Sequence, residues 1–244
     1  MELLSKQLEV CAFTIQTCII AEKVGAVRAE LCDNPIEGGT TPSYGTIKQV
    51  REKVNIQLFP IIRPRSLNYF YDEEEWQIII QDVKMCKELL CDGVSIGISK
   101  QDGTIDTERM KRIAAIAYPM ELTCNRVIDA VPNPFEALEQ IIDCGFHRIL
   151  TSGQAATAPE GMDILKQLVQ QADGRISIMP GAGVKSSNIK ELAAVTGANE
   201  FHTSARKAAA NTVSYSNPKV TDAGNMYIAD EEELRKIITI LNAE

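Results

Sequence analysis

The sequence predicts one α/β domain spanning residues 1–244, folded as a (β/α)8 TIM barrel. Eight short apolar runs alternate with eight longer amphipathic stretches, and this alternation continues without a linker. The length of 244 residues also fits a barrel of this kind, which typically has about 250 residues. A doubly wound open sheet is the alternative arrangement for the same alternation.

The predicted strands are short runs rich in β-branched and other apolar residues. Runs of this length, bounded by polar or glycine-containing segments, are typical of buried parallel strands. In chain order they cover residues 8–12, 27–31, 56–62, 93–97, 120–124, 148–151, 176–179 and 200–202.

The predicted helices lie between these strands, with one more at the end of the chain. The clearest helical period is formed by Trp76, Ile79, Ile80 and Val83, which fall on one face. Gly25 follows the first helix, at a position where a left-handed residue is favoured. The helices cover residues 14–24, 44–53, 72–90, 106–117, 134–144, 161–172, 187–195 and 231–242.

Two segments interrupt the alternation. Residues 33–43 form a long loop rich in glycine and threonine, and residues 207–227 form a polar stretch with little periodicity. Both follow a predicted strand, and barrels build their sites on the loops after the C-terminal ends of strands. The functional site is therefore expected at that end of the barrel.

Composition restricts the classes of partner and the compartment. A net charge of -8 argues against a broad surface for nucleic acid or anionic membranes. The N-terminus has no basic leader followed by an apolar run, and no apolar stretch is long enough to span a bilayer. Seven cysteines, an odd number without C-x-x-C spacing, favour free thiols in a reduced cytoplasm.

Two successive predicted strands end in one repeated pattern, with Glu9 and Cys11 on the first and Glu30 and Cys32 on the second. Residues two apart share a face of a strand, so each strand presents a carboxylate and a thiol on one side. Neighbouring parallel strands lie about 4.8 Å apart, so the pairs would lie side by side, within reach of one small ligand or ion. The carboxylates are candidates for proton transfer, and the thiols are candidate metal ligands.

Each of these residues also has a structural interpretation. Glu9 could be a buried ion-pair partner of Arg63 or Arg126 inside the barrel. Cys11 and Cys32 could be ordinary residues of the barrel interior, because cysteine often packs as a small hydrophobic residue.

Further polar residues collect at or after the predicted strand ends. We assign Arg63, Arg126, Asp129 and His202 to the catalytic set, in which the arginines would clamp an anion, acids would move protons and His202 would assist. A ligand-binding set follows strands six to eight, where backbone N–H groups after a glycine turn could hold an anion. Its members are Ser152, Gln154, Gly181, Gly183, Ser204 and Arg206. The alternative for the glycines is a tight turn that merely requires them.

With these residues in place, the sequence resembles the CutC family, whose members are named copper homeostasis proteins. The match covers nearly the whole chain. It is carried by LEVC at 8–11, AELC at 29–32, EGGTTPSYG at 37–45, IRPR at 62–65, DGV at 92–94, RILTSGQ at 148–154, IMPGAG at 178–183 and EFHTSAR at 200–206. The resemblance implies a TIM barrel, a cytoplasmic homodimer and a role for Cys11 and Cys32 in binding Cu(I).

The chain departs from the family pattern in two places. The family's Phe-His-Arg after strand five is replaced by Cys124, Asn125 and Arg126, so a histidine is lost. The family's Arg-Pro-Arg-Gly-Gly-Asp is RPRSLN at 63–68, which loses two glycines and an acid. If the lost histidine serves as an acid or base in the family, this protein is expected to be altered in activity or in substrate.

Two functions follow. One is copper homeostasis through Cu(I) bound by Cys11 and Cys32, because soft thiolates favour that ion. The other is an enzyme acting on a small anionic or phosphorylated metabolite at the C-terminal end of the barrel. Glu9 and Glu30 are expected to raise the pKa of both thiols and so to weaken copper binding, unless arginines offset the carboxylates.

Overall fold

The computed structural model describes residues 6–210, 212–215, 217, 219 and 226–243. Eight parallel strands form one sheet in the order β7-β6-β5-β4-β3-β2-β1-β8. The end strands β7 and β8 lie beside each other, so the sheet is a nearly closed barrel rather than an open sheet. The strands are β1 (Gln7–Ala12), β2 (Arg28–Leu31), β3 (Gln57–Ile62), β4 (Gly93–Ile96), β5 (Glu121–Cys124), β6 (Arg148–Thr151), β7 (Ser177–Pro180) and β8 (Glu200–Thr203). The predicted fold class is confirmed.

Eight α-helices in the described part of the chain accompany these strands. Most end where the sequence predicts: Thr14 caps the first helix through a hydrogen bond from Thr17 N, and Gly25 ends it in the left-handed conformation. The helices are α1 (Ile15–Val24), α2 (Tyr44–Arg51), α3 (Glu73–Glu88), α4 (Thr107–Ala117), α5 (Pro134–Asp143), α6 (Met162–Ala172), α7 (Ile189–Thr196) and α8 (Glu231–Asn242).

Two short elements were not predicted. A 3-10 helix, Arg126–Ala130, follows β5, and a small antiparallel pair is formed by β9 (Arg206–Ala208) and β10 (Tyr227–Ala229). β9 lies at the start of the predicted polar stretch 207–227, and β10 lies at its end. Within this stretch, residues 211, 216, 218 and 220–225 lie outside the described residues. Residues 1–5, on which the expectation of no leader depends, also lie outside them.

Alternation along the strands separates an apolar layer from a polar interior. On β1, Leu8 and Val10 point outwards and join the core that packs the strands against the helices. Glu9 and Cys11 point inwards, where Cys11 forms a small separate cluster with Cys32 and Ile61. The barrel interior therefore holds the charged and thiol-bearing residues.

The pairing of β1 and β2 differs from the side-by-side arrangement that the repeated pattern suggested. Glu9 lies opposite Arg28, and Cys11 lies opposite Glu30. The two Glu–Cys pairs are thus staggered by two residues, because strands in a barrel are tilted and sheared relative to one another. The stagger brings Arg28 level with Glu9.

Candidate active site

A cavity of about 870 Å³ opens at the C-terminal ends of the barrel strands. Several of the predicted site residues line it, namely Cys11, Glu30, Arg63, Arg126, Gly183, His202, Ser204 and Arg206. Others lie close to it without lining it, namely Glu9, Cys32, Asp129, Ser152, Gln154 and Gly181. The cavity therefore brings together groups from β1, β2, β3 and β8 with the loops that follow β5, β7 and β8.

The two thiols meet beside this cavity, which Cys11 lines and Cys32 does not. Cys11 Sγ lies 3.7 Å from Cys32 Sγ, although the two residues are not opposite each other in the sheet. The contact with Cys32, aided by His202, lowers the pKa of Cys11 to about 6 in spite of its burial. Burial and the contact with Cys11 raise the pKa of Cys32 well above its usual value. The expectation of raised pKa values is thus wrong for Cys11, whose neighbours outweigh the carboxylates.

Glu9 is held by Arg28, and not by Arg63 or Arg126 as the sequence suggested. The Arg28 guanidinium is 1% exposed and forms ion pairs with Glu9 and Glu200. Burial by itself would raise the pKa of Glu9, but Arg28 and the hydrogen bond with His202 outweigh it and lower the pKa to about 2. Glu9 is therefore a permanent carboxylate beneath the site.

His202 lies between the two carboxyl groups. Its Nδ1 is 2.7 Å from Glu9 Oε1, and its Nε2 is 3.8 Å from Glu30 Oε2. Burial by itself would lower the pKa of His202, but the Cys11 thiol and both carboxyl groups raise it well above 6.5. The imidazole is thus oriented by Glu9 and directed towards Glu30.

Glu30 has a different environment from Glu9, because no arginine is paired with it among the described residues. Burial, with the nearby Cys11 and Glu9, raises its pKa to about 8, against the effects of His202 and the Ser95 hydroxyl. Its Oε1 has no hydrogen-bond partner among the described residues. A neutral carboxylic acid at pH 7 can donate a proton into the cavity.

Arg63 connects the cavity wall to the loop after β2. Its Nη1 donates to the carbonyl oxygens of Glu37 and Gly39, at 2.8 and 2.9 Å, and its guanidinium stacks on the ring of Tyr69. Gly39 in turn packs over the Cys32 thiol, where an added Cβ would be 3.3 Å from the sulfur atom. Arg63 therefore fixes the loop that covers Cys32, a role the sequence did not suggest.

Asp129 organises the loop after β6 instead of facing the cavity. Its carboxylate accepts hydrogen bonds from the backbone N–H groups of Ser152 and Gln154 and pairs with Arg126 at 2.8 Å. The Ser152 hydroxyl accepts from Arg126, and the Gln154 amide donates to Val131 O at 2.7 Å. These contacts engage Asp129, Ser152 and Gln154 within the protein, while Arg126 lines the cavity wall.

The glycine turn after β7 is only partly available to a ligand. Gly181 N–H donates to Thr151 O, so this group is engaged, whereas Gly183 lines the cavity with φ +73°. Glu233, from the start of α8, accepts hydrogen bonds from both N–H and O–H of Ser186 in the segment that follows. A carboxylate of the protein thus occupies part of the predicted anion cup.

Sequence reasoning missed three residues that shape the site. Arg28 is two residues before Glu30 on β2. Because side chains alternate between the two faces of a strand, the sequence could have shown that Arg28 faces inwards as Glu30 does. Asn125 was noted only as the loss of a histidine, yet its side chain lines the cavity. Glu233 reaches the site from the last helix, and no local pattern indicates this.

Two overlapping groups could hold a metal ion. Ligand atoms of Cys11, Glu30 and Cys32 lie within 4.8 Å of one another, as do those of Glu9, Glu30 and His202. The first group, with two thiols, suits a soft ion such as Cu(I). The second is a poorer set for such an ion, because it offers two carboxylates and an imidazole but no thiol.

The fold and this site define a class: a TIM barrel with an acid–base and thiol cluster at the C-terminal end of its strands. The model of the CutC family matches residues 6–207, so the chain belongs to the CutC family.

Similar proteins span most of the chain. It is 47% identical over 212 residues to a family protein CutC from Chromobacterium violaceum, covering 87% of this chain and 86% of the relative. It is 45% identical over 229 residues to a family protein CutC from Parabacteroides distasonis, covering 93% of each. A crystal structure of a proposed copper homeostasis protein CutC from Streptococcus agalactiae is 32% identical, with a TM-score of 0.78, and covers 82% of this chain and 98% of that one.

More distant structures share the fold alone. The N-(5'-phosphoribosyl)anthranilate isomerase of Pyrococcus furiosus is 12% identical with a TM-score of 0.60, covering 98% of this chain and all of that one. Within the described residues, we also find no helix with the length and apolar character needed to cross a membrane.

Proposed function

We propose that this protein is an enzyme that carries out acid–base chemistry on a small anionic metabolite bound in the cavity at the C-terminal end of the barrel. The observation that supports this most is the approach of His202 Nε2 to Glu30 Oε2, at 3.8 Å, in one cavity wall. Burial raises the pKa of Glu30, and the contacts of His202 raise the pKa of its imidazole. A metal carrier has no need of such a pair.

Each group has a role that follows from its contacts. Glu9 touches His202 but does not line the cavity, so it positions the imidazole and keeps it protonated. Glu30 exchanges a proton with the ligand through its unpaired Oε1. The His202 imidazolium, 3.8 Å from Glu30, stabilises negative charge that develops on the ligand.

A metabolite extract in D2O tests the proposal without knowledge of the substrate. The extract is incubated with the wild-type protein or with Glu30→Gln, and mass spectrometry measures which compounds are converted or take up deuterium. We expect at least one small anion to change only with the wild type. Arg175→Gln, on the exposed surface, serves as the matched control and should behave as the wild type. Identical profiles for wild type and Glu30→Gln would contradict the proposal.

Copper binding is the second candidate, and the paired thiols of Cys11 and Cys32 favour it. The low pKa of Cys11 supplies a thiolate near neutral pH, and a relative from Streptococcus agalactiae is named a proposed copper homeostasis protein. Against it, Cys32 is 2% exposed beneath the loop at Gly39, so an ion must displace that loop to reach it.

Titration with Cu(I) and a competing chelator distinguishes the two functions. If Cu(I) is bound specifically, Cys11→Ser and Cys32→Ser should each abolish binding, because either change leaves one thiolate. Cys86→Ser, buried on α3 away from the cavity, is the matched control. Unchanged affinity in the double variant would leave the two cysteines as packing residues.

A further inference from the structure

Three buried polar atoms in the cavity wall have no partner in the described structure: Glu30 Oε1, Arg63 Nε and Asn125 Nδ2. Their residues are 3%, 5% and 2% exposed. Buried polar groups are nearly always hydrogen-bonded, so three unpaired atoms around one cavity indicate a ligand that pairs with them. The other unpaired side-chain atoms of the described residues belong to Tyr71, Ser95, Thr123 and Arg148, which do not line this cavity, although the Ser95 hydroxyl acts on the Glu30 carboxyl group.

The free edge of Arg63 has the shape of a carboxylate receptor. Because Nη1 is engaged by Glu37 O and Gly39 O, only the edge formed by Nε and Nη2 remains for a ligand. Two parallel N–H donors on one guanidinium edge match the two oxygens of a carboxylate. The stacking of Arg63 on Tyr69 fixes the plane of this edge.

Asn125 offers a donor to the same cavity. Its Oδ1 accepts from Val127 N–H at 3.1 Å, which assigns the amide orientation and leaves Nδ2 as the unpaired end. An amide N–H₂ group adds hydrogen bonds to an anionic ligand without adding a positive charge. Arg126 lines the same wall but is paired with Asp129 at 2.8 Å, whereas Arg63 has no acid partner among the described residues. The donors of Arg63 and Asn125 therefore suit a singly charged planar group.

The part of the cavity beside Ser186 is poorly suited to a phosphoryl group. The carboxylate of Glu233 already accepts from Ser186 N and Oγ at 2.7 and 2.9 Å, and Asp230 lines the cavity beside it. Three cations are nearby: Arg206 donates to Pro35 O and stacks on Tyr227, Lys207 pairs with Asp230 at 3.3 Å, and Lys185 lines the cavity. Glu233 therefore occupies the N–H and hydroxyl donors of Ser186, at the place where TIM barrels often bind phosphate.

From these contacts we infer that the ligand is a small hydroxy- or oxo-carboxylic acid, and not a phosphorylated metabolite. Its carboxylate binds the Nε/Nη2 edge of Arg63 and Nδ2 of Asn125, while its hydroxyl or carbonyl oxygen reaches Glu30. This inference rests on the proposed function, because it concerns the ligand of the same site. It also assigns Glu233 as the residue that excludes phosphate.

Paired probes test the ligand class directly. Isothermal titration and thermal shift compare lactate, glycerate and malate with glycerol 3-phosphate and inorganic phosphate on the wild-type protein. At least one of the carboxylates should bind, and neither phosphate should bind as tightly. Tighter binding of a phosphate than of every carboxylate, or no binding of any carboxylate, would overturn the inference.

Three variants locate the bound group. Asn125→Asp keeps the acceptor for Val127 N–H but replaces the Nδ2 donor by a negative charge. Arg63→Lys keeps a cation but loses the two parallel N–H donors of the guanidinium edge. Each should weaken carboxylate binding roughly 10- to 100-fold, the loss of a hydrogen bond to a charged group. Glu233→Gln should leave carboxylate binding unchanged and increase the affinity for glycerol 3-phosphate.

Two controls separate this result from other causes. The reactivity of Cys32 with a thiol reagent should stay low in Arg63→Lys, which shows that the covering loop is still in place. Arg175→Lys, at an exposed ion pair, should bind as the wild type does. Carboxylate binding that survives in Asn125→Asp would refute the assigned position.

The outcome can be told apart from failure of the enzyme proposal. Phosphate binding combined with turnover that requires Glu30 would overturn the carboxylate inference and leave the enzyme. Carboxylate binding that depends on Arg63 and Asn125, without any turnover, would support the ligand class and reject catalysis.

Discussion

Glu9 and Glu30 are the same chemical group, and both are buried inside the barrel, yet their pKa values move in opposite directions. The difference comes from one neighbour, because Arg28 lies opposite Glu9 in the sheet while Cys11 lies opposite Glu30. The ion pair with Arg28 outweighs the desolvation of Glu9, whereas the desolvation of Glu30 is not compensated. The strand register therefore decides which acid carries a proton.

The raised pKa of Glu30 predicts a pH-dependent stability that Glu30→Gln should reduce. The unfolded chain releases this proton near pH 4.5, while the folded protein keeps it to about pH 8. The folded state thus binds more protons between these values, and its stability falls as pH rises through the window. Urea unfolding at pH 5 and pH 8 should show a larger loss in wild type than in Glu30→Gln.

Glu108→Gln, an exposed change on α4, is the control for this pH effect. Its loss of stability between pH 5 and pH 8 should equal that of the wild type. An equal loss in Glu30→Gln would mean that Glu30 is ionised throughout this range.

At the scale of elements, the loop after β3 carries a strained residue at its tip. Leu67 has φ +85° and is 86% exposed, so its side chain gains little from packing. This is the second of the two positions where the CutC pattern that the sequence resembles has glycine. A left-handed conformation costs an L-residue roughly 1–2 kcal/mol, a cost that glycine avoids.

Leu67→Gly should therefore stabilise the folded protein. The relief of strain exceeds the added entropy of an unfolded glycine, about 0.5–1 kcal/mol, so a net gain of about 0.5–1 kcal/mol is expected. Leu67→Ala is the matched control, since alanine keeps the Cβ and the strain while removing the exposed side chain. Denaturant unfolding measures both, and equal gains in the two variants would rule out backbone strain as the cause.

For the whole molecule, local patterns predict elements but not the contacts between distant ones. The apolar alternation of β1 predicts that Leu8 and Val10 pack outwards, as they do. The two-residue stagger that places Cys11 opposite Glu30 depends on closure of the whole barrel, which no short window of sequence contains. Glu233 reaches Ser186 only because the last helix docks beside the loop after β7. Because no local pattern shows how the last helix docks, the anion cup was predicted without Glu233.

Closure of the barrel also creates a chain of charges that is buried except at Glu121. Arg148 pairs with Glu121 and Glu200, and Glu200 with Arg28, which in turn pairs with Glu9. The guanidinium groups of Arg28 and Arg148 both stack on Phe59, each 5.2 Å from the ring centroid. Gly93 leaves room for this ring, since an added Cβ would lie 2.2 Å from it. The chain links β2 and β6 through β8, across the side where the end strands of the sheet meet.

This arrangement predicts strong coupling between Arg28 and Glu9. Removing one member of a buried ion pair leaves the other charge without compensation, so Arg28→Met should lower the free energy of unfolding by roughly 3–5 kcal/mol. Glu9→Gln removes the partner charge but keeps an oxygen that can accept from His202 Nδ1. The double variant should lose less stability than the sum of the two single losses, because it leaves neither charge alone.

Urea unfolding of all four proteins measures this coupling by linear extrapolation. The exposed pair of Arg175 and Glu139 provides the control cycle, for which each loss of stability should be small with little coupling. Additive losses at Arg28 and Glu9 would show that the two charges are stabilised independently, by Glu200 and His202. In that case the protonated state of His202 should persist in Arg28→Met, which NMR titration of its ring would detect.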